Sequence, residues 1–172
     1  DFDAAIDILR KKGQKVAANR ADRESTEGVV LAGTTENSAK GTLISLNCET
    51  DFVAKNESFV ALAQSILDLA IKNEPASKED LLGLQMVDNL TVADKLLEQT
   101  GVIGEKIELG AFETVEAPYV ATYIHAGNRL AAMVGLTNAE GASAGREVAM
   151  QIAAMNPVAV DESSVTQEVI EK

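Results

Sequence analysis

Tryptophan is absent, cysteine and histidine occur once each, proline three times, and aromatic residues make up only 3% of the 172-residue chain. Each scarcity removes a class of protein. A single cysteine, Cys48, excludes an internal disulfide framework and a thiolate-rich metal site, and it fits a reducing compartment, the cytoplasm. With His125 as the sole imidazole, a zinc site is short of ligands. No apolar run approaches the ~18 residues that a membrane span requires. The opening Asp1-Phe2-Asp3 lacks the basic and apolar layout of a signal peptide, and the missing initiator Met fits a fragment of a longer protein. Basic residues are scarce too: 15 Lys and Arg stand against 27 Asp and Glu, a net charge of −12. Phosphate recognition depends on clustered Lys and Arg, so a general nucleic-acid or anionic-membrane binder is disfavoured. What remains is a foldable acidic chain, 46% apolar, with room for one ordinary domain or two small ones sharing a core.

The charge is unevenly distributed. Through Glu27 the chain holds six basic and six acidic residues, so the rest carries the whole negative balance. Arg10, Lys11, Lys12, Lys15, Arg20 and Arg23 crowd together against Asp22 alone. That stretch reads either as a solvated helical connector or as a docking surface for an acidic partner.

Hydrophobic spacing outlines the elements. Phe2, Ala5, Ile6 and Leu9 form a helical stripe over Asp1 to Lys12, with acids in the first turn, bases in the last and Gly13 as the expected stop. Residues 14–27 read as an Ala-rich linker helix. Gly28 to Ala32 and Thr42 to Cys48 form a hairpin around a polar turn. A helix follows with Phe59, Leu62, Ile66 and Leu69 spaced 3, 4, 3, ending at Asn73-Glu74-Pro75. Ala76 to Leu90 reads as loop with short turns. Thr91 with Asp94 marks a helix start by the capping-box logic, with Gly101 as its expected stop. Lys106 to Val115 reads as a strand, Tyr119 to His125 and Arg129 to Thr137 as a hairpin, and Gly145 to Met155 as a helix stopped at Asn156-Pro157.

Twice, then, a hairpin precedes a helix that ends at a proline, Pro75 and Pro157. This predicts an α+β protein of two similar subdomains, each an antiparallel sheet packed with helices, preceded by a helical N-terminal segment. The expected divisions are 1–27, 28–116 and 117–172, the last incomplete. The first unit carries an extra segment, Glu49 to Glu57, between strand and helix.

The catalytic inventory is thin. A Cys48–His125 thiol pair is conceivable, but Cys48 lies on an apolar strand where a buried, inert thiol is the simpler reading. No phosphate-cradling Gly-x-x-x-x-Gly-Lys-Ser/Thr motif occurs. Glu49, Asp51 and Glu57 are oxygen donors without the spacing of a metal loop. No catalytic residue, metal or cofactor is therefore assigned, and protein interaction is the remaining class. Its sharpest candidate is Phe52. In one continuous helix with Phe59 it would join the core stripe; at a strand-to-helix corner beside Asp51 it would be an exposed anchor for a partner's pocket.

Leu46-Asn47-Cys48-Glu49-Thr50-Asp51-Phe52-Val53-Ala54-Lys55-Asn56-Glu57 closely resembles the signature of bacterial translation elongation factor Ts. The resemblance continues through Ala5-Ile6-Asp7-Ile8-Leu9-Arg10-Lys11-Lys12-Gly13, Ile103-Gly104-Glu105-Lys106-Ile107, Tyr123-Ile124-His125-Ala126-Gly127-Asn128-Arg129 and Ala149 to Pro157. It covers essentially the whole chain. It departs at Asn128, where many relatives have glycine, and at both ends: only the last helix of a three-helix module is matched, and the coiled-coil hairpin and further strands of many relatives are not. The resemblance implies guanine-nucleotide exchange on elongation factor Tu, without covalent chemistry. It implies that Thr50, Asp51, Phe52 and Val53 dock near the GTPase's Mg²⁺ site, Phe52 entering an apolar pocket, and that Ile103, Gly104 and His125 make further contacts. Neither direct nucleic-acid nor membrane binding is expected, and a homodimer of the full-length protein stays open. The competing readings are an interaction scaffold that binds without promoting exchange, and a thiol enzyme using Cys48 and His125.

Overall fold

The computed structural model describes residues 2–165. The expected helix start at Asp1 lies outside the described residues, as do residues 166–172, and the side chains of Phe2, Asp3 and Ile6 are not described. The chain runs α1 (Phe2–Asn19), β1 (Glu27–Thr34), β2 (Lys40–Cys48), α2 (Asp51–Ala54), α3 (Glu57–Asn73), α4 (Lys78–Gly83), α5 (Val92–Ile103), β3 (Glu108–Glu116), β4 (Tyr119–Ile124), β5 (Ala131–Leu136) and α6 (Ala142–Met155), with single 3-10 turns at Ala139–Gly141 and Glu162–Ser164. The described residues form an α+β fold with two antiparallel sheets and a helix at the N-terminal end.

Strands β1, β2 and β3 form one sheet in that order, and β4 pairs with β5 in a second. Side-chain alternation assigns the faces. Ile44, Leu46 and Cys48 of β2, with Val29 and Leu31 of β1, are buried in one cluster with Phe59, Ala63, Ile66, Leu67 and Ala70 of α3. On the other face of β2, Gly41 brings the sheets together: a Cβ there would lie 2.6 Å from Val120 of β4. One residue on, Ala121 turns the opposite way, toward Gly145 of α6. The layers are therefore α3, first sheet, second sheet, α6.

Several boundaries differ from those the sequence predicts. Helix α1 runs through Gly13 to Asn19, so Arg10, Lys11, Lys12 and Lys15 sit along the helix and not in its last turn. Gly13 is buried against α5, where a Cβ would lie 2.0 Å from the Leu97 carbonyl oxygen. Gly101 faces it from α5, a Cβ there approaching the Gly13 nitrogen to 2.8 Å. Both glycines let two helix backbones touch. Neither stops a helix. The expected linker helix over 14–27 is only partly realised, since the helical part ends at Asn19. Helix α5 ends instead at Gly104, whose φ of +82° is the left-handed cap conformation. The segment expected to be loop contains α4, started by Ser77, whose side chain accepts from the Asp80 N–H. Among the described residues no helix is long and apolar enough to cross a membrane.

Candidate partner-docking site

The site begins where β2 leaves the core. Cys48 is fully buried, and its Sγ donates to the Thr50 carbonyl at 3.2 Å. Burial, with a further push from the Glu105 carboxylate, raises the thiol to about 11. A thiol so raised holds little thiolate at neutral pH, and among the described residues no hydrogen bond joins it to His125. Thr50 is extended (φ −123°, ψ 152°) and caps the four-residue α2, its side chain accepting from the Val53 N–H at 3.5 Å. Two residues beyond the end of α2 the chain breaks again: Asn56 is extended and caps α3 through the Ser58 N–H. Two caps this close produce a corner in place of one long helix.

That corner decides where Phe52 goes. Ala54 is buried and Val53 packs against the core, so α2 is anchored by its inner side. Phe52, on the outer side, is 83% exposed, whereas Phe59 is 2% exposed. The continuous-helix alternative, with Phe52 in the core stripe, does not occur. Beside it, Asp51 accepts from Lys55 Nζ at 2.6 Å. The Lys55 ammonium holds the Asp51 carboxyl below its usual range, with a smaller pull from Arg129.

Two glutamates fasten the corner to the α5–β3 connection. Glu105 Oε2 accepts from the N–H groups of Glu49 (3.1 Å) and Thr50 (3.0 Å), and its Oε1 accepts from the Thr50 hydroxyl (2.7 Å). In the opposite direction, Glu49 Oε1 accepts from the Lys106 N–H (2.7 Å), and Oε2 from Arg20 (2.6 Å). Burial pushes the Glu49 carboxyl up, but the Lys106 N–H and the Arg20 guanidinium outweigh it and hold the group below its usual range. Ile103, the last residue of α5 and packed against the core, and its cap Gly104 immediately precede Glu105.

His125 reaches the same end of the first sheet by another route. It follows β4 directly, after Ile124, which packs against the core. It starts a turn in which Gly127 (φ +89°) and Asn128 (φ +56°) adopt the left-handed conformation. The hairpin tip is pinned to β1: the Val30 N–H donates to the Asn128 carbonyl at 2.7 Å, and Arg129 pairs with Glu27 at 2.7 Å. Glu27 lies opposite Cys48 in the β1–β2 register, one residue before the corner starts. The imidazole is exposed, with Nδ1 2.9 Å from the Tyr123 hydroxyl. Among the described residues no hydrogen bond joins His125 to α2.

Sequence reasoning did not find the structural part played by Glu49, Glu105 and Arg20. Elsewhere, a cavity of about 920 Å³ lies by the β1–β2 turn, at the far end of the sheet, where Lys40 is already paired with Glu74 and Glu116. Among the described residues no group of three His, Cys, Asp or Glu side chains is placed to hold a metal.

The described residues thus form an α+β framework whose thiol is buried and whose clamped corner carries an exposed aromatic. Comparison with known proteins gives its family. The family described as "Elongation factor TS" matches residues 49–172. "Elongation factor Ts" of Christiangramia forsetii is 55% identical over 174 residues, covering 100% of this chain and 62% of the relative. Those of Amoebophilus asiaticus and Flavobacterium psychrophilum are each 51% identical, covering 63% and 62% of the relatives. The chain belongs to the elongation factor Ts family, and it spans about three fifths of the length of these curated relatives.

Proposed function

We propose that this protein is a guanine-nucleotide exchange factor for elongation factor Tu, acting through surface contact and without covalent catalysis. The observation that carries the reading is Phe52, 83% exposed on a turn whose inner side is buried and whose base is held by Glu105. Leaving a phenylalanine in water forgoes about 1.5–3 kcal/mol, which docking in an apolar pocket recovers. In this reading Thr50 and Val53 set the geometry of the wedge, Asp51 meets polar groups beside the pocket, and Ile103, Gly104 and His125 extend the contact.

Inserted near the nucleotide's Mg²⁺ site, the ring displaces partner elements that hold the ion and the diphosphate. Charge-assisted contacts to the phosphates lengthen, and GDP leaves. Exchange of this kind needs differential affinity only: the factor binds the nucleotide-free GTPase more tightly than the GDP form.

The test is the rate at which labelled GDP leaves elongation factor Tu when excess unlabelled nucleotide is added, with and without the full-length protein. Acceleration that rises with protein concentration is the expected result. Binding with an unchanged GDP release rate would instead favour a scaffold.

A further inference from the structure

We propose that Glu105 and Glu49 are positioning residues for Phe52, a reciprocal pair of carboxylates that sets the corner before any partner arrives. The proposal rests on the reading of Phe52 as the docking wedge. Each carboxylate is bonded to the backbone on which the other is carried: Glu105 takes the N–H groups of Glu49 and Thr50, and Glu49 takes the N–H of Lys106, the residue after Glu105. Arg20 closes the arrangement from the end of α1. All of these are charge-assisted bonds, the shorter and stronger class.

The link to the wedge runs through one hydroxyl. Thr50 Oγ1 donates to Glu105 Oε1 and accepts from the Val53 N–H, so Glu105 orients the oxygen that caps the turn carrying Phe52. A helix of four residues has no stability of its own and takes its shape from its caps and its packing. If the corner loosens, only a fraction of molecules present the ring correctly, and apparent affinity for the partner falls by that fraction.

The experiment uses the full-length protein and four variants: Glu105→Ala, Glu105→Gln, Phe52→Ala, and Glu105→Ala combined with Phe52→Ala. Three quantities are read: acceleration of labelled GDP release from elongation factor Tu, thermal midpoint, and amide hydrogen exchange at Glu49 and Thr50. Glu105→Ala is expected to lower the exchange rate constant about tenfold, a change of about 1.4 kcal/mol, and to speed amide exchange at both residues. Glu105→Gln keeps an oxygen for the two N–H groups and an amide to donate to Thr50 Oγ1, so it regains most of the loss. In the Phe52→Ala background, Glu105→Ala should cost almost nothing more, because a positioning residue has nothing left to position. A residue serving only general stability would instead impose its full penalty in both backgrounds, and that result overturns the proposal. So does unchanged amide exchange at Glu49 and Thr50 in Glu105→Ala. If Glu105→Ala does not fold, Glu105→Asp replaces it in both backgrounds; its carboxylate is one methylene too short for the three donors, and the same outcomes decide. If Phe52→Ala exchanges nucleotide as well as the parent, the reading of the wedge itself fails, a separate result from a silent Glu105→Ala beside an inactive Phe52→Ala.

Discussion

At residue scale, Phe52 and Phe59 put the same side chain to opposite uses because Asn56 interrupts the chain between them. Its side chain takes the Ser58 N–H and starts a new helix axis, so the two rings leave on different faces. The energetic signatures should separate accordingly. Phe59→Ala empties a core site and is expected to cost about 3–5 kcal/mol, while Phe52→Ala should change stability by no more than about 0.5 kcal/mol, as for ordinary surface positions. Urea unfolding of the two variants measures both. Cys48 carries a second prediction. Buried, bonded to the Thr50 carbonyl and with its thiol raised to about 11, it should react slowly with iodoacetamide at neutral pH and quickly only once the protein unfolds. Rapid labelling of the native protein would contradict that placement.

At the scale of elements, glycine decides how α1 meets α5. A Cβ at Gly13 would penetrate the Leu97 carbonyl, so Gly13→Ala must push the helices apart. The expected cost is at least the ~1–3 kcal/mol typical of overpacking, seen as a lower thermal midpoint. Gly83→Ala, with open space around its added methyl, is the matched control. These glycines also show where reading the sequence succeeds. Thr91 with Asp94, and Asn156 before Pro157, were legible as helix ends because local capping chemistry places them there. Gly13 and Gly101 read as stops because a glycine needed for contact with a distant helix looks identical, in one dimension, to a glycine that ends its own. Helix α4 reads only as short turns within a loop because six residues carry too little periodicity to announce a helix. The corner bearing Phe52 was legible as an extra segment, since Asp51 and Phe52 stand out beside a strand end. Its fastening was not. Glu49 and Glu105 meet through the pairing of β2 with β3, and no local spacing encodes a bond between residues 55 or 56 apart in sequence.

At the scale of the whole molecule, the folding of three separate segments onto one end of the first sheet is what a docking surface requires. In the proposed reading, α2 and its cap supply Thr50 to Val53, the C-terminal end of α5 and its cap supply Ile103 and Gly104, and the β4–β5 tip, tied to β1 through Asn128 and Arg129, supplies His125. The proposed exchange activity also carries a thermodynamic obligation. If the protein weakens GDP binding by some factor, GDP must weaken binding of the protein to elongation factor Tu by the same factor. Titration calorimetry on the nucleotide-free and the GDP-loaded GTPase, set against GDP affinity with and without the protein, tests that equality. Unequal factors would show that the three species do not form one reversible cycle. The most direct test of the central claim remains a single substitution at the wedge. Labelled GDP release from elongation factor Tu should be accelerated by the full-length parent, and about tenfold or more less by Phe52→Ala, the equivalent of losing at least ~1.4 kcal/mol of docking energy. A Phe52→Ala variant that drives release as fast as the parent would contradict the account.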